Sequence, residues 1–110
     1  MEAGTPREGI DGMRQLVFLV EEMSMKIVLD ALLPYIVPES INFITIPHEG
    51  KRDLQKSIPI KLRSWRQEGV EFIVVHDKDS WDCKKLKKHL TDLCREAGKP
   101  GTLVRTLSKS

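Results

Sequence analysis

The chain is 110 residues long, 40% apolar and 31% charged, with a formal net charge of +2. These values describe one folded domain with a single core, and they exclude both a disordered chain and a bulk polycation that coats nucleic acid. Two cysteines, Cys83 and Cys94, are too few for a disulfide framework or a zinc knuckle. They read as reduced thiols of a cytoplasmic protein.

Residues 1–13 mix both charges with Gly and Pro and carry no apolar stretch. They are expected to be a disordered leader rather than a signal peptide, ahead of a single domain over 14–110. No segment reaches the roughly 18 uninterrupted apolar residues of a membrane span, so no membrane partner is expected.

The first predicted strand is QLVFLV, residues 15–20, a nearly continuous apolar run of the kind found in central strands covered on both faces. It ends in Glu21-Glu22. A helix is predicted from about Met25 to Val37, apolar on most sides and closed by Pro34 and Pro38. Tyr35 within it reads as core. The second strand is INFITI, residues 41–46, followed by HEGKRD, residues 48–53, where Gly50 supplies a tight turn into the next helix.

In that second helix Leu54, Ile58, Leu62 and Trp65 recur at steps of four, four and three, and Pro59 should kink or split it. The third strand, EFIVVH at 71–76, is again almost entirely apolar and exits into Asp77, Asp79 and Asp82. The third helix carries the stripe Cys83, Leu86, Leu90, Leu93, Cys94 and Ala97, and Gly98 and Pro100 end it. The last strand is TLVRTL, residues 102–107. Strands alternating with helices predict an α/β domain: three α/β/α layers around a central, mainly parallel four-stranded sheet.

In an open parallel sheet, chemistry gathers beyond the carboxyl ends of the strands. If the first and third strands are neighbours, Glu21, Asp77 and Asp79 converge there, with Glu22 beside them. Two or three carboxylates plus water suit Mg2+ (or Mn2+), which prefers octahedral oxygen coordination and dehydrates reluctantly. The plainer reading is that Asp favours turns and helix caps, with Asp79 or Ser80 capping the third helix and Asp82 serving its first turn. Acids at both strand tips favour the metal site.

FLVEE (18–22) followed by HDKDS (76–80) resembles the TOPRIM domain of topoisomerases, primases and several nucleases, which places a glutamate after its first strand and a DxD motif after a later one. More closely, FLVEEMSMK, IPHEGKRDL and HDKDSWDC resemble an uncharacterised family of small prokaryotic TOPRIM-like proteins, over residues 15 to about 105. The resemblance implies that Glu21, Asp77 and Asp79 are both metal ligands and catalytic groups in phosphodiester chemistry. It also implies a nucleic-acid substrate, DNA or RNA, and an ATPase partner protein. Glu22 departs from the pattern, standing where many members have glycine. The further helical region that follows the fourth strand in that family is not part of this sequence, which implies a short or truncated form.

A nuclease-like role suits the chain better than strand passage, which needs a catalytic tyrosine. Lys51 and Arg52 after the second strand, and Lys84 and Lys85 at the start of the third helix, are the candidate phosphate contacts. The bland reading of the lysine run is a solvated helix face. His48 and His76, at strand ends, read as structural and stay outside the ligand set. Trp65 reads as core, and Trp81 either stacks on a base or covers a helix start. Two other readings remain open: a receiver-like phospho-acceptor domain using Glu22 and Asp77, and a non-catalytic interaction module, such as a homodimer.

Overall fold

The computed structural model describes residues 14–65, 69–77 and 83–107. Its elements run β1 (Arg14–Val20), α1 (Met23–Ile36), β2 (Ile41–Pro47), α2 (Lys51–Ser64), β3 (Val70–Asp77), α3 (Cys83–Glu96) and β4 (Leu103–Leu107). All four strands are parallel, in the order β2-β1-β3-β4, so the two most apolar strands occupy the centre as expected. The leader, Asp79, Ser80, Trp81 and Asp82 lie outside the described residues.

Side chains alternate across the sheet and sort into two cores. On one face Val17 and Leu19 of β1, Phe72 and Val74 of β3, and Val104 of β4 pack against Leu54, Ile58 and Leu62 of α2 and Leu86, Leu90 and Cys94 of α3. On the other face Phe18 and Val20 of β1 and Val75 of β3 meet Met25 and Leu33 of α1. The layering follows from connection handedness. The step from β1 to β2 runs in one direction along the sheet, and the steps to β3 and β4 run in the other. Right-handed crossovers therefore send α1 to one face and α2 with α3 to the opposite one.

Trp65 packs as expected, edge-on to Phe72 with ring centroids 5.6 Å apart. Cys94 is buried, and that burial pushes its thiol up to about 11, well above the range of a reactive cysteine. Three local expectations need correction. Pro59 does not split the second helix: α2 is continuous from Lys51 to Ser64, because Leu54, Ile58 and Leu62, on both sides of the proline, are fully buried against the sheet. Pro34 does not close the first helix, which runs two residues further to Ile36. Tyr35 is not core but 90% exposed. The sheet surface under α1 takes only one side of a helix that is apolar on most sides.

Lys26 and Asp30 of α1 clamp that helix to β2. The Lys26 ammonium donates to Asp30 Oδ2 at 2.8 Å and to Thr45 Oγ1 at 2.8 Å, and the Thr45 hydroxyl donates to Asp30 Oδ1 at 2.6 Å. The ammonium's hydrogen bond, then the hydroxyl's, hold the Asp30 carboxyl below its ordinary range.

Gly50 initiates α2 with φ 104° and ψ −179°, a region open almost only to glycine. Its N–H donates to the Glu21 carbonyl at 2.9 Å, tying the start of α2 to the end of β1. A Cβ there would meet nothing within 4 Å, so the penalty of a side chain is conformational rather than steric. Gly50→Ala is expected to lower stability by about 1–3 kcal/mol in urea unfolding, with an unchanged m-value.

Candidate functional site

The crevice is set by the two central strands. The chain leaves β1 toward the α1 face and β3 toward the α2/α3 face, so their carboxyl ends open onto the point where the strand order reverses. Glu21 and Asp77 stand at these two tips. The β1–β3 ladder pairs Val20 with Val75, and the Glu21 N–H continues it by donating to the Val75 carbonyl at 3.2 Å. The Glu21 side chain then crosses to β3, where its Oε1 accepts the Asp77 N–H at 3.0 Å. Asp77 is only 6% exposed, a carboxyl-bearing residue drawn into the sheet edge.

Glu22 is the N-cap residue of α1, in extended backbone conformation, and its carbonyl accepts the Met25 and Lys26 N–H groups. Its carboxylate therefore sits at the positive end of the α1 dipole, a favourable place for an anion whether or not a ligand is bound. Asp79, the remaining acid of the expected set, lies outside the described residues. Among the described residues no three His, Cys, Asp or Glu side chains group closely enough to hold a metal. The structure thus brings Glu21 and Asp77 together and places Glu22 at the same edge.

Two buried histidines flank this pair, and sequence reasoning had set both aside. His48 Nδ1 lies 2.8 Å from the Val20 carbonyl. A carbonyl only accepts, so Nδ1 carries a proton and donates it to Val20. His76, fully buried, shares a hydrogen bond of 3.0 Å between Nε2 and the Thr106 hydroxyl. His48 Nε2 and His76 Nδ1 are both buried without a hydrogen-bond partner. Burial above all holds the His76 imidazole below 6.5, against the nearby Asp77 backbone and the Glu21 charge, which favour protonation.

The cationic candidates cluster at the same edge because α2 and α3 both begin there. Lys51 and Arg52 occupy the first turn of α2, Lys84 and Lys85 the first turn of α3, and all four are exposed. Cations at helix N-termini oppose the helix dipole. In α2 this is offset in part by Asp53, whose Oδ2 accepts the Glu49 N–H at 2.9 Å. Tyr35 lies in the last turn of α1, which runs antiparallel to the strands, and so it is at the opposite end of the sheet from the acids.

No protein-family model and no curated protein matches the chain. Among solved structures it is similar to a de novo designed Rossmann fold protein, with 18% identity and a TM-score of 0.52, covering 88% of this chain and 87% of that one. That likeness shows the α/β/α fold. Among the described residues no helix is long and apolar enough to cross a membrane.

Two outcomes test this geometry. Glu21→Ala strands the Asp77 N–H and should cost about 1–3 kcal/mol in urea unfolding, whereas Glu21→Gln keeps a carbonyl acceptor and should cost less than half as much. Because His76 is held neutral in the fold, the unfolded chain takes up its proton first on acidification. Stability should therefore fall as pH drops below about 6.5, by up to about 1.4 kcal/mol per pH unit, until the lowered folded-state value is passed. Urea titrations between pH 7 and 5.5 should show this slope, and His76→Gln should flatten it.

Proposed function

We propose that the β1/β3 edge is a TOPRIM-like metal centre acting in nuclease-like phosphodiester chemistry on nucleic acid, together with a partner protein that is an ATPase in the resembling family. The observation that carries this reading is the meeting of Glu21 and Asp77 across neighbouring strand tips at the point where strand order reverses. Two carboxylates at an open edge, with water completing the shell, fit Mg2+, which is commonly held by one or two carboxylates. Glu21 and Asp77 would hold the ion, joined by Asp79 and with Glu22 beside them. An ion held there by Glu21 and Asp77 would supply Lewis-acid chemistry, polarising a phosphoryl oxygen and lowering the pKa of a water nucleophile.

The remaining residues bind and orient. The Asp77 N–H fixes the direction of the Glu21 carboxylate, and Gly50 fixes the carbonyl end of the same residue. Lys51, Arg52, Lys84 and Lys85 raise the local positive potential on both sides of the acids, where a phosphate backbone would run. Four cations against two helix dipoles lower the stability of the bare fold, and a bound polyanion would reverse that penalty.

Mg2+ or Mn2+ at about one hundred times its dissociation constant should stabilise the protein by about 2.7 kcal/mol, read as a rise in Tm of several degrees. Glu21→Gln and Asp77→Asn should abolish the rise while leaving cooperative unfolding intact. An unchanged Tm with either metal removes the chemical basis of the proposal. With the rise established, cleavage of labelled DNA and RNA separates a nuclease from a receiver-like domain, which would instead take up phosphate from acetyl phosphate at Asp77.

A further inference from the structure

The outer surfaces of the three helices differ in kind. On α3, Lys84, Lys85, Lys87 and Lys88 face solvent, and α2 exposes Lys51, Arg52, Asp53 and Lys56. Helix α1 instead exposes Met23 (54%), Ile27 (63%), Val28 (41%), Leu32 (48%), Tyr35 (90%) and Ile36 (70%). Its only charged residues, Lys26 and Asp30, are directed at Thr45 of β2. A helix that is apolar on nearly all sides belongs in an interior, and this one has a sheet on one side only.

The exposed residues form two ridges at four-residue steps, the first passing through the small, exposed Ala31 between Ile27 and Tyr35. Met23, Ile27 and Tyr35 point away from the sheet. Val28, Leu32 and Ile36 line the flank opposite Lys26 and Asp30, and so face the β3/β4 half of the sheet. Ile73 and Val75 of β3 lie under α1, but no described helix covers this face of β4 beyond them: Leu103, paired in register with Ile73, is 47% exposed, and Arg105, paired with Val75, is exposed beside it. The result is a step, with an apolar wall along α1 and an open sheet floor beside it.

We infer that this surface is a two-fold interface in which α1 of one copy packs against α1 and the open sheet floor of a second copy of this chain. Size and chemistry select this occupant. The six side chains and Leu103 leave on the order of 700 Å² of apolar surface per copy, above the largest patch of a typical monomer, so a symmetric pair covering all of it would bury at most about 1,400 Å², within the range of stable complexes. Ridges at i, i+4 and i+8 on two identical helices interdigitate without any complementary charge, which suits a self-complementary contact. The contact leaves the cationic first turns of α2 and α3 uncovered and is independent of the metal-centre reading.

Sedimentation velocity of the 110-residue chain should show a dimer at about 100 µM that dissociates on dilution. Ile27→Lys with Tyr35→Lys, both at exposed positions, should weaken the dimer by about a hundredfold or more and leave the unfolding of the monomer cooperative. Ile60→Lys, at an exposed position on α2 (67%), should leave dimerisation unchanged. A wild-type chain that stays monomeric at 100 µM overturns the inference, as does a dimer that survives the double substitution. Dimerisation that appears only once residues 1–13 are removed also overturns it, because the leader would then be the occupant.

Discussion

Parallel pairing of β1 with β3, rather than with β2 alone, is the constraint from which the rest of the structure follows. Placing a strand on each side of β1 forces the chain to reverse its direction along the sheet after β2. Because each crossover must be right-handed, the reversal moves the helices from one face to the other. The two loops leaving β1 and β3 therefore diverge, and the space between them is the place where a polar group can sit at a strand end without meeting a helix. Glu21 fills it by bonding to the neighbouring strand's backbone. The interaction does for the sheet edge what a ladder bond does inside it.

The same edge shows how much polarity a small parallel sheet can take in. His48, His76, Thr45 and Asp77 are all buried, and each lies in the carboxyl-end half of its strand or just beyond it. Buried polar groups cost free energy unless they are hydrogen-bonded, and two imidazole nitrogens here are not. Among the described residues the amino ends of the strands carry no such load; there β1 and β3 are joined by an exposed pair, Arg14 with Glu71 at 3.0 Å. The asymmetry between the two ends is the physical case for reading the carboxyl edge as a working surface. A stability-driven sequence would have filled those positions with Val or Ile.

Much of this was legible in the sequence because it rests on two short periods. The apolar runs at 15–20 and 71–76 marked central strands, and the stripe from Cys83 to Ala97 marked a helix with one buried side. Period-two counting, carried one or two residues past each strand, would also have placed Ile44, Ile46 and His48 on one face with Leu19 and Glu21, and with Val74 and His76. The histidines were passed over because a lone imidazole says nothing until its row is known. Proline misled because its local rule is weaker than burial: Ile58 and Leu62 hold α2 through Pro59. Tyr35 misled for the opposite reason, since apolar pattern reports what a helix could bury and not how much surface the sheet provides.

That last distinction bears on where the domain's stability resides. Among the described residues the α2/α3 side gathers twelve buried residues into one cluster, while the α1 side gathers five. Native domains are only marginally stable as a whole, so a face with so small a core contributes little to global stability in isolation. The Lys26–Asp30–Thr45 clamp pins α1 to β2, at the edge of the sheet, and nothing comparable holds its other flank among the described residues. Local opening should therefore begin with α1 and spare the α2/α3 layer. Since α1 is joined directly to Glu21 and Glu22, the order of the acidic edge is coupled to whatever covers that helix.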